Sequence, residues 1–218
     1  MCFSPEASFS AAAIITTVGV VSLSKASSLP YKLLGCIPLF FGIQQLAEGF
    51  VWLSLLYERF AFIKDVSASA FIVFAWIVWP IWVPMSMWQI EADVKRKKLI
   101  KSFFFVGVFV SLALAYTLVF RNVEAGILDC SIIYNFDVSE NIHSTFGVLY
   151  LLVTVVPTLL SKVPKTWLLG VMNILAYVGT KLFISDRILS IWCFFAALTS
   201  VIVLWIILDE KKRSRVID

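Results

Sequence analysis

The sequence predicts an all-α polytopic membrane protein, a single domain of seven transmembrane helices over residues 1–218, and three observations carry that expectation. Hydrophobic residues make up 61% of the chain and charged residues only 15%, too little polar surface to face water on all sides. Mean hydropathy is +0.94. The apolar residues fall in seven runs of roughly 20, the length that crosses about 30 Å of hydrocarbon. These runs are 5–24, 32–57, 66–90, 99–120, 142–161, 167–185 and 187–208.

The first span opens at Ser4-Pro5-Glu6: a serine cap, proline at the first helical position and an acid on the positive end of the helix dipole. No basic stretch precedes it and no small-residue cleavage site closes it, so the segment reads as a retained helix rather than a signal peptide. The connection 121–141 is the longest, and its alternating GILDCSIIYNFDV is compatible with a hairpin. Residues 209–218, DEKKRSRVID, form a short charged tail. The excess of cationic residues in cytoplasmic connections sets orientation. With the N-terminus outside and the C-terminus cytoplasmic, thirteen of the 18 Lys and Arg lie inside, including VKRKK (94–98) and the tail. That basic charge anchors the protein to anionic lipid; no aromatic-rich soluble module accompanies it, so no nucleic-acid partner is expected.

The second span carries the polar anomaly. Gly35, Gly42 and Gly49 recur every seven residues and form a seam against which another helix can pack closely. Beside it Phe41, Gln45, Glu48 and Trp52 make a stripe, with Gln44 at its edge. Glu48 lies about nine residues from the outer end of its span, on the order of 13 Å deep. An ionised carboxylate facing lipid there costs several kcal/mol, so Glu48 is expected to face the bundle interior. Gln45 and Glu48 can be interhelical hydrogen-bond glue or a functional site, and both readings are open.

The outward N-terminus places Cys2, Glu6, Glu48, Cys130, His143, Lys181, Asp186 and Cys193 in the outer half. Polar groups from the first, second, fifth, sixth and seventh spans are thus expected around an outward-facing pocket, with Glu48, Gln44, Gln45, Trp52, Cys2, His143 and Lys181 as candidate ligand-binding residues. Lys181 extends the stripe Gly170, Asn173, Tyr177 and Thr180. Pro38, Pro80, Pro84 and Pro157 can kink helices to open such a pocket, and Trp76, Trp79 and Trp82 can line its floor. The bland alternatives are plain: Lys181 snorkels to the interface, His143 begins a helix, and Trp88, Trp167 and Trp205 are interface anchors. The four cysteines have no metal-ligand spacing, and one histidine cannot build a multi-histidine centre. No metal site is expected, and no cofactor or catalytic residue can be assigned. Cys2 and Cys130 share one compartment and can pair there; loss of Met1 would alternatively expose an N-terminal amine and thiol together; the plainest reading is an ordinary cysteine.

MCFSPEASF at the N-terminus followed by PLFFGIQQLAEGFVW resembles a family of small bacterial polytopic membrane proteins known as a domain of unknown function, with an MCFSxxASF opening and a QQxxEG helix. The resemblance implies a multi-pass protein of the bacterial inner membrane. It carries no activity, but it brings Cys2, Ser4, Gln44, Gln45, Glu48 and Gly49 into the shared pattern.

Three functions compete. Binding or transport of a small molecule or ion through Glu48 is favoured, with membrane lipids as surroundings and a homo-oligomer if a pore is needed. An intramembrane enzyme acting on a lipid-like substrate would use Glu48 and His143 as acid and base and Cys2 as nucleophile. A seven-helix sensor would bind a ligand without turnover or flux.

Overall fold

The computed structural model describes residues 4–120, 123–128, 131–136, 140–183 and 188–217, with side chains described for all of these except 136, 140–144, 180–183, 188–194 and 215–217. Among these residues, seven helical rods follow one another, interrupted by one two-stranded hairpin. The first two are α1 (Pro5–Lys25) and α2 (Leu29–Leu56). The third rod runs Glu58–Ile90 and changes pitch along its length: a 3₁₀ segment at Glu58–Ile63, α3 at Lys64–Ile72, a π-helix at Val73–Val78, and α4 at Trp79–Ile90. Then come α5 (Val94–Phe120), β1 (Val123–Leu128), β2 (Ser131–Phe136), α6 (Glu140–Leu160), α7 (Thr166–Phe183) and α8 (Ile188–Ile217). Among the described residues, four rods are long and apolar enough to cross a membrane: Pro5–Lys25, Leu29–Leu56, Glu58–Ile90 and Val94–Phe120. The described apolar parts of α6 and α7, Thr145–Leu160 and Thr166–Gly179, are shorter.

The start of α1 follows the capping logic of its sequence: the Ser4 hydroxyl accepts the Ala7 amide at 3.2 Å, with Pro5 in the first turn. α1 and α2 form a close antiparallel hairpin, and the glycine seam is the reason. A side-chain carbon on Gly49 would fall 2.8 Å from the Phe9 ring, one on Gly42 would meet the Thr16 hydroxyl, and one on Gly35 would press on Leu23 and Ile207. α2 is the central rod; among the described residues its neighbours are α1, all four segments of the third rod, α8 and β1. α6 and α7 form a further layer, α6 against α4 and α5, α7 against α6 and α8.

The π-helix ends two residues before Pro80, which has no amide for the carbonyl four residues back. A wider turn accommodates the proline ring, and α5 braces it. The Ser111 hydroxyl donates to the Ile77 carbonyl at 2.8 Å, and one turn earlier Gly107 lets α5 approach the Pro80 carbonyl directly.

Contacts between distant segments gather the connections 26–28, 91–93 and 161–165 and the last turns of α8 at one end. Ser27 donates to Glu210 at 2.7 Å, Lys162 pairs with Asp93 at 2.8 Å and Lys165 with Asp209 at 3.0 Å. The charged tail therefore does not end the last rod: α8 continues to Ile217, held by the i,i+4 pair Asp209–Arg213 at 3.2 Å and by the Ser214–Glu210 bond. At the opposite end, β1 and β2 pair antiparallel from Val123↔Phe136 to Leu128↔Ser131. Ala125 and Ile132 of this hairpin pack with Val51, Trp52 and Ala68, and Tyr134 stacks on Phe71 with centroids 5.0 Å apart.

Candidate functional site

The stripe on α2 lies inside the protein. Glu48 is 0% exposed, Gln45 2%, Trp52 3% and Gln44 8%. The Gln45 amide donates to the Glu48 carboxyl at 2.7 Å, one turn apart on the same helix. Gln44 turns toward α4, where its side-chain oxygen accepts the Trp79 indole N–H at 2.9 Å. Each polar group thus has a donor or acceptor within the fold, as burial away from water requires.

The surroundings are aromatic and small. Ala47 packs with Phe71, Ile72, Ala75 and Trp76, so the π-helix presents its tryptophan beside the polar stripe. Trp79 lies against Phe41, centroids 4.1 Å apart. Trp82 faces elsewhere: its N–H reaches the Leu33 carbonyl at 2.9 Å, in the turn that Pro38 disturbs. Of the three tryptophans around Pro80, Trp79 therefore serves the stripe, Trp76 packs in the apolar cluster with Ala47, and Trp82 braces the opposite end of α2. Above the site, the hairpin closes over Trp52 through Ala125 and Ile132. In the described residues the acid lies beneath this cover rather than in an open mouth.

The remaining candidates stand differently. Cys2 and Cys130 lie outside the described residues, as does Asp186. His143 is carried on α6 and Lys181 on α7, outside the described side chains, as is Cys193 on α8. Gly170, which begins the Lys181 stripe, packs on Thr158 and Leu159 of α6. Among the described residues, Trp79 of α4 reaches Gln44 on α2. Cys36 is a half-buried free thiol. No cluster of three metal-ligating side chains occurs among the described residues.

A second polar cluster escaped the sequence reading. Glu91, at the end of α4, is 2% exposed. Its carboxylate accepts the Asp93 amide at 2.9 Å and the Lys162 amide at 2.7 Å, joining the α4–α5 and α6–α7 connections. Arg96 adds a 2.6 Å bond to the Leu160 carbonyl, capping the end of α6. Burial pushes the Glu91 carboxyl upward, but the bonds from Asp93, Lys162 and Ser161 outweigh it and hold the group below the usual glutamate range. In sequence, Glu91 looks like one more loop charge; only its neighbours in space distinguish it. This cluster is a structural clasp, whereas the stripe on α2 combines burial, an acid and a likeness in sequence.

No curated protein and no solved structure matches the chain significantly. A family model does, described as a family of unknown function and matching residues 1–217. With the match spanning nearly every residue, from the capped α1 through the Gln45–Glu48 turn to the last turn of α8, the chain belongs to the DUF6629 family.

Proposed function

We propose that this is a multi-pass protein of the bacterial inner membrane whose Glu48 centre binds a proton or a small cationic ligand and passes it across the membrane. The observation that carries this is one carboxyl: Glu48, 0% exposed and hydrogen-bonded by Gln45 at 2.7 Å, in a helix apolar enough to cross a membrane. A buried acid in such a helix is costly unless neutralised or paired, and exchange of a proton or cation at that oxygen is the chemistry it performs at least cost. Gln45 keeps an amide donor on the carboxyl, and the Gln44–Trp79 bond fixes the adjacent turn against α4. The hairpin over Trp52 is placed to exclude water until it moves.

The orientation with the N-terminus outside is supported by the end at which Ser27, Asp93, Lys162 and Asp209 meet, since the basic connections gather there. The site then lies toward the exterior and the Glu91 clasp toward the cytoplasm.

The test is proton and cation flux into vesicles reconstituted with the purified full chain, read with an internal pH dye and with cation-sensitive dyes. Wild-type protein is expected to pass a gradient, and Glu48→Gln, which keeps shape and hydrogen bonding but cannot ionise, is expected to abolish it. Equal flux from wild type and Glu48→Gln, or none from wild type under any gradient, overturns the proposal.

A further inference from the structure

The end of the molecule remote from Glu48 contains a cleft of about 100 Å³ between the start of α2, the α6–α7 connection and α8. Ile206, Val163 and Pro164 line it together with Tyr31, Asp209, Glu210 and Arg213. Its charges are sorted. Asp209 faces two cations, Lys165 at 3.0 Å and Arg213 at 3.2 Å, so that side carries a positive excess. Glu210 meets only hydroxyl donors among the described residues, Ser27 at 2.7 Å and Ser214 at 2.9 Å, so that side keeps a negative charge.

Two observations place this cleft at the depth of lipid head groups and show it to be built. Trp167 and Trp205 beside it are about half exposed, as interfacial tryptophans are. Lys165 holds a left-handed backbone (φ 73°), which a residue with a side chain adopts only when its surroundings impose it. Its ammonium lies 4.2 Å from the centre of the Trp205 ring as well as on Asp209. The strain thus holds a cation on Asp209, which lines the cleft.

We propose that this cleft binds the zwitterionic head group of a bilayer phospholipid of the phosphoethanolamine type. The phosphate lies against Arg213 and Lys165, and the ammonium against Glu210. An anionic head group would satisfy the first side and repel the second; a simple cation would do the reverse. The cleft is smaller than pockets that enclose whole organic ligands, so it takes the head and leaves the acyl chains in the bilayer. The assignment needs the membrane setting but not ion binding at Glu48, and it goes beyond that function.

The test is native mass spectrometry of the full chain released from nanodiscs of equimolar phosphatidylethanolamine and phosphatidylglycerol. Wild type is expected to retain phosphatidylethanolamine about tenfold over phosphatidylglycerol, with Glu210→Gln losing that preference. Glu210→Lys is expected to invert it toward phosphatidylglycerol, a change that mere loss of folding cannot produce. Arg213→Ala lowers retention of both lipids, and Arg213→Lys restores it. Equal retention of the two lipids by wild type, or a preference unmoved by Glu210→Lys, overturns the proposal. Retention of soluble O-phosphoethanolamine with neither lipid held overturns the bilayer source. A failure of flux at Glu48 leaves these readouts unchanged.

Discussion

The Glu91 carboxylate holds the backbone amide of Lys162 at 2.7 Å across 71 positions of sequence. With its other oxygen on Asp93, one side chain closes two connections that would otherwise splay, at the end from which α5 and α7 begin. The Lys162–Asp93 ion pair beside it is conspicuous but exposed: the lysine side chain is 58% accessible.

Removing the buried acceptor should therefore matter more than removing the visible ion pair. Glu91→Ala leaves two amides short of a partner and is expected to lower stability by about 1–3 kcal/mol, whereas Lys162→Ala costs under about 1 kcal/mol. Thermal unfolding in one detergent compares them. A larger loss from Lys162→Ala would show that the carboxylate is not the clasp.

The same carboxylate gives stability a pH dependence. Its folded-state value lies below the unfolded one despite burial, because backbone amides hold the charged form. The contribution is thus complete above the unfolded value and is lost as pH falls through the folded one. Wild type should lose melting temperature faster than Glu91→Gln as pH drops below about 4.5, the range in which a glutamate takes up its proton. Parallel curves for the two proteins would contradict this.

Between α2 and α4, the Trp79–Gln44 bond makes a coupling that a double-mutant cycle can isolate. Trp79→Phe, Gln44→Leu and the pair are expected to yield a coupling of about 0.6–2 kcal/mol, the range for hydrogen bonds between membrane helices. The two side chains are 2.9 Å apart and buried. Additive effects would mean that the bond contributes nothing to holding α4 on the stripe.

Glycine positions separate close approach from mere helix composition. Gly42→Ala puts a methyl group against the Thr16 hydroxyl and backbone, with no flexible tip to yield; about 1–3 kcal/mol of destabilisation is expected. Gly147→Ala meets nothing within 4 Å and should be neutral or stabilising by about 0.5–1 kcal/mol, since alanine favours the helix. Comparable losses at both sites would remove the α1–α2 seam from the account of the fold.

What the sequence disclosed and what it hid divide along range. The helical rods, the Ser4 cap, the hairpin after α5 and the inward face of Glu48 all follow from periodicity, capping and the cost of a lipid-exposed charge, which are local properties. The sevenfold glycine spacing foretold a close neighbour, and α1 occupies that place. The partner of Gln44 required knowing that the third rod crosses α2 at Trp79, a matter of packing. Glu91 was invisible for the same reason: a glutamate beside a loop looks solvated until the Lys162 amide is brought to it. The tail looked like a short charged end, yet α8 continues through it because Asp209 and Arg213, and Glu210 and Ser214, stand one turn apart and bond along the helix.

The π-helix supplies the last prediction, because its cause is compound. Pro80 withholds one amide, but proline kinks exist without a π-turn; here α5 also accepts the altered geometry. Ser111, 1% exposed, donates to the Ile77 carbonyl, and Gly107 leaves room for the Pro80 carbonyl. Ser111→Ala should cost about 1 kcal/mol by removing the hydroxyl bond from α5 to that carbonyl. Gly107→Ala should cost about 1–3 kcal/mol, since the contact is with backbone that cannot rotate away. In hydrogen exchange of the reconstituted protein, both should speed exchange across residues 73–80 while α1 keeps its protection. Pro80→Ala should slow exchange in the same stretch by restoring the missing amide. Unchanged exchange there in Ser111→Ala would mean that the π-turn is set by the proline alone and that α5 merely lies beside it.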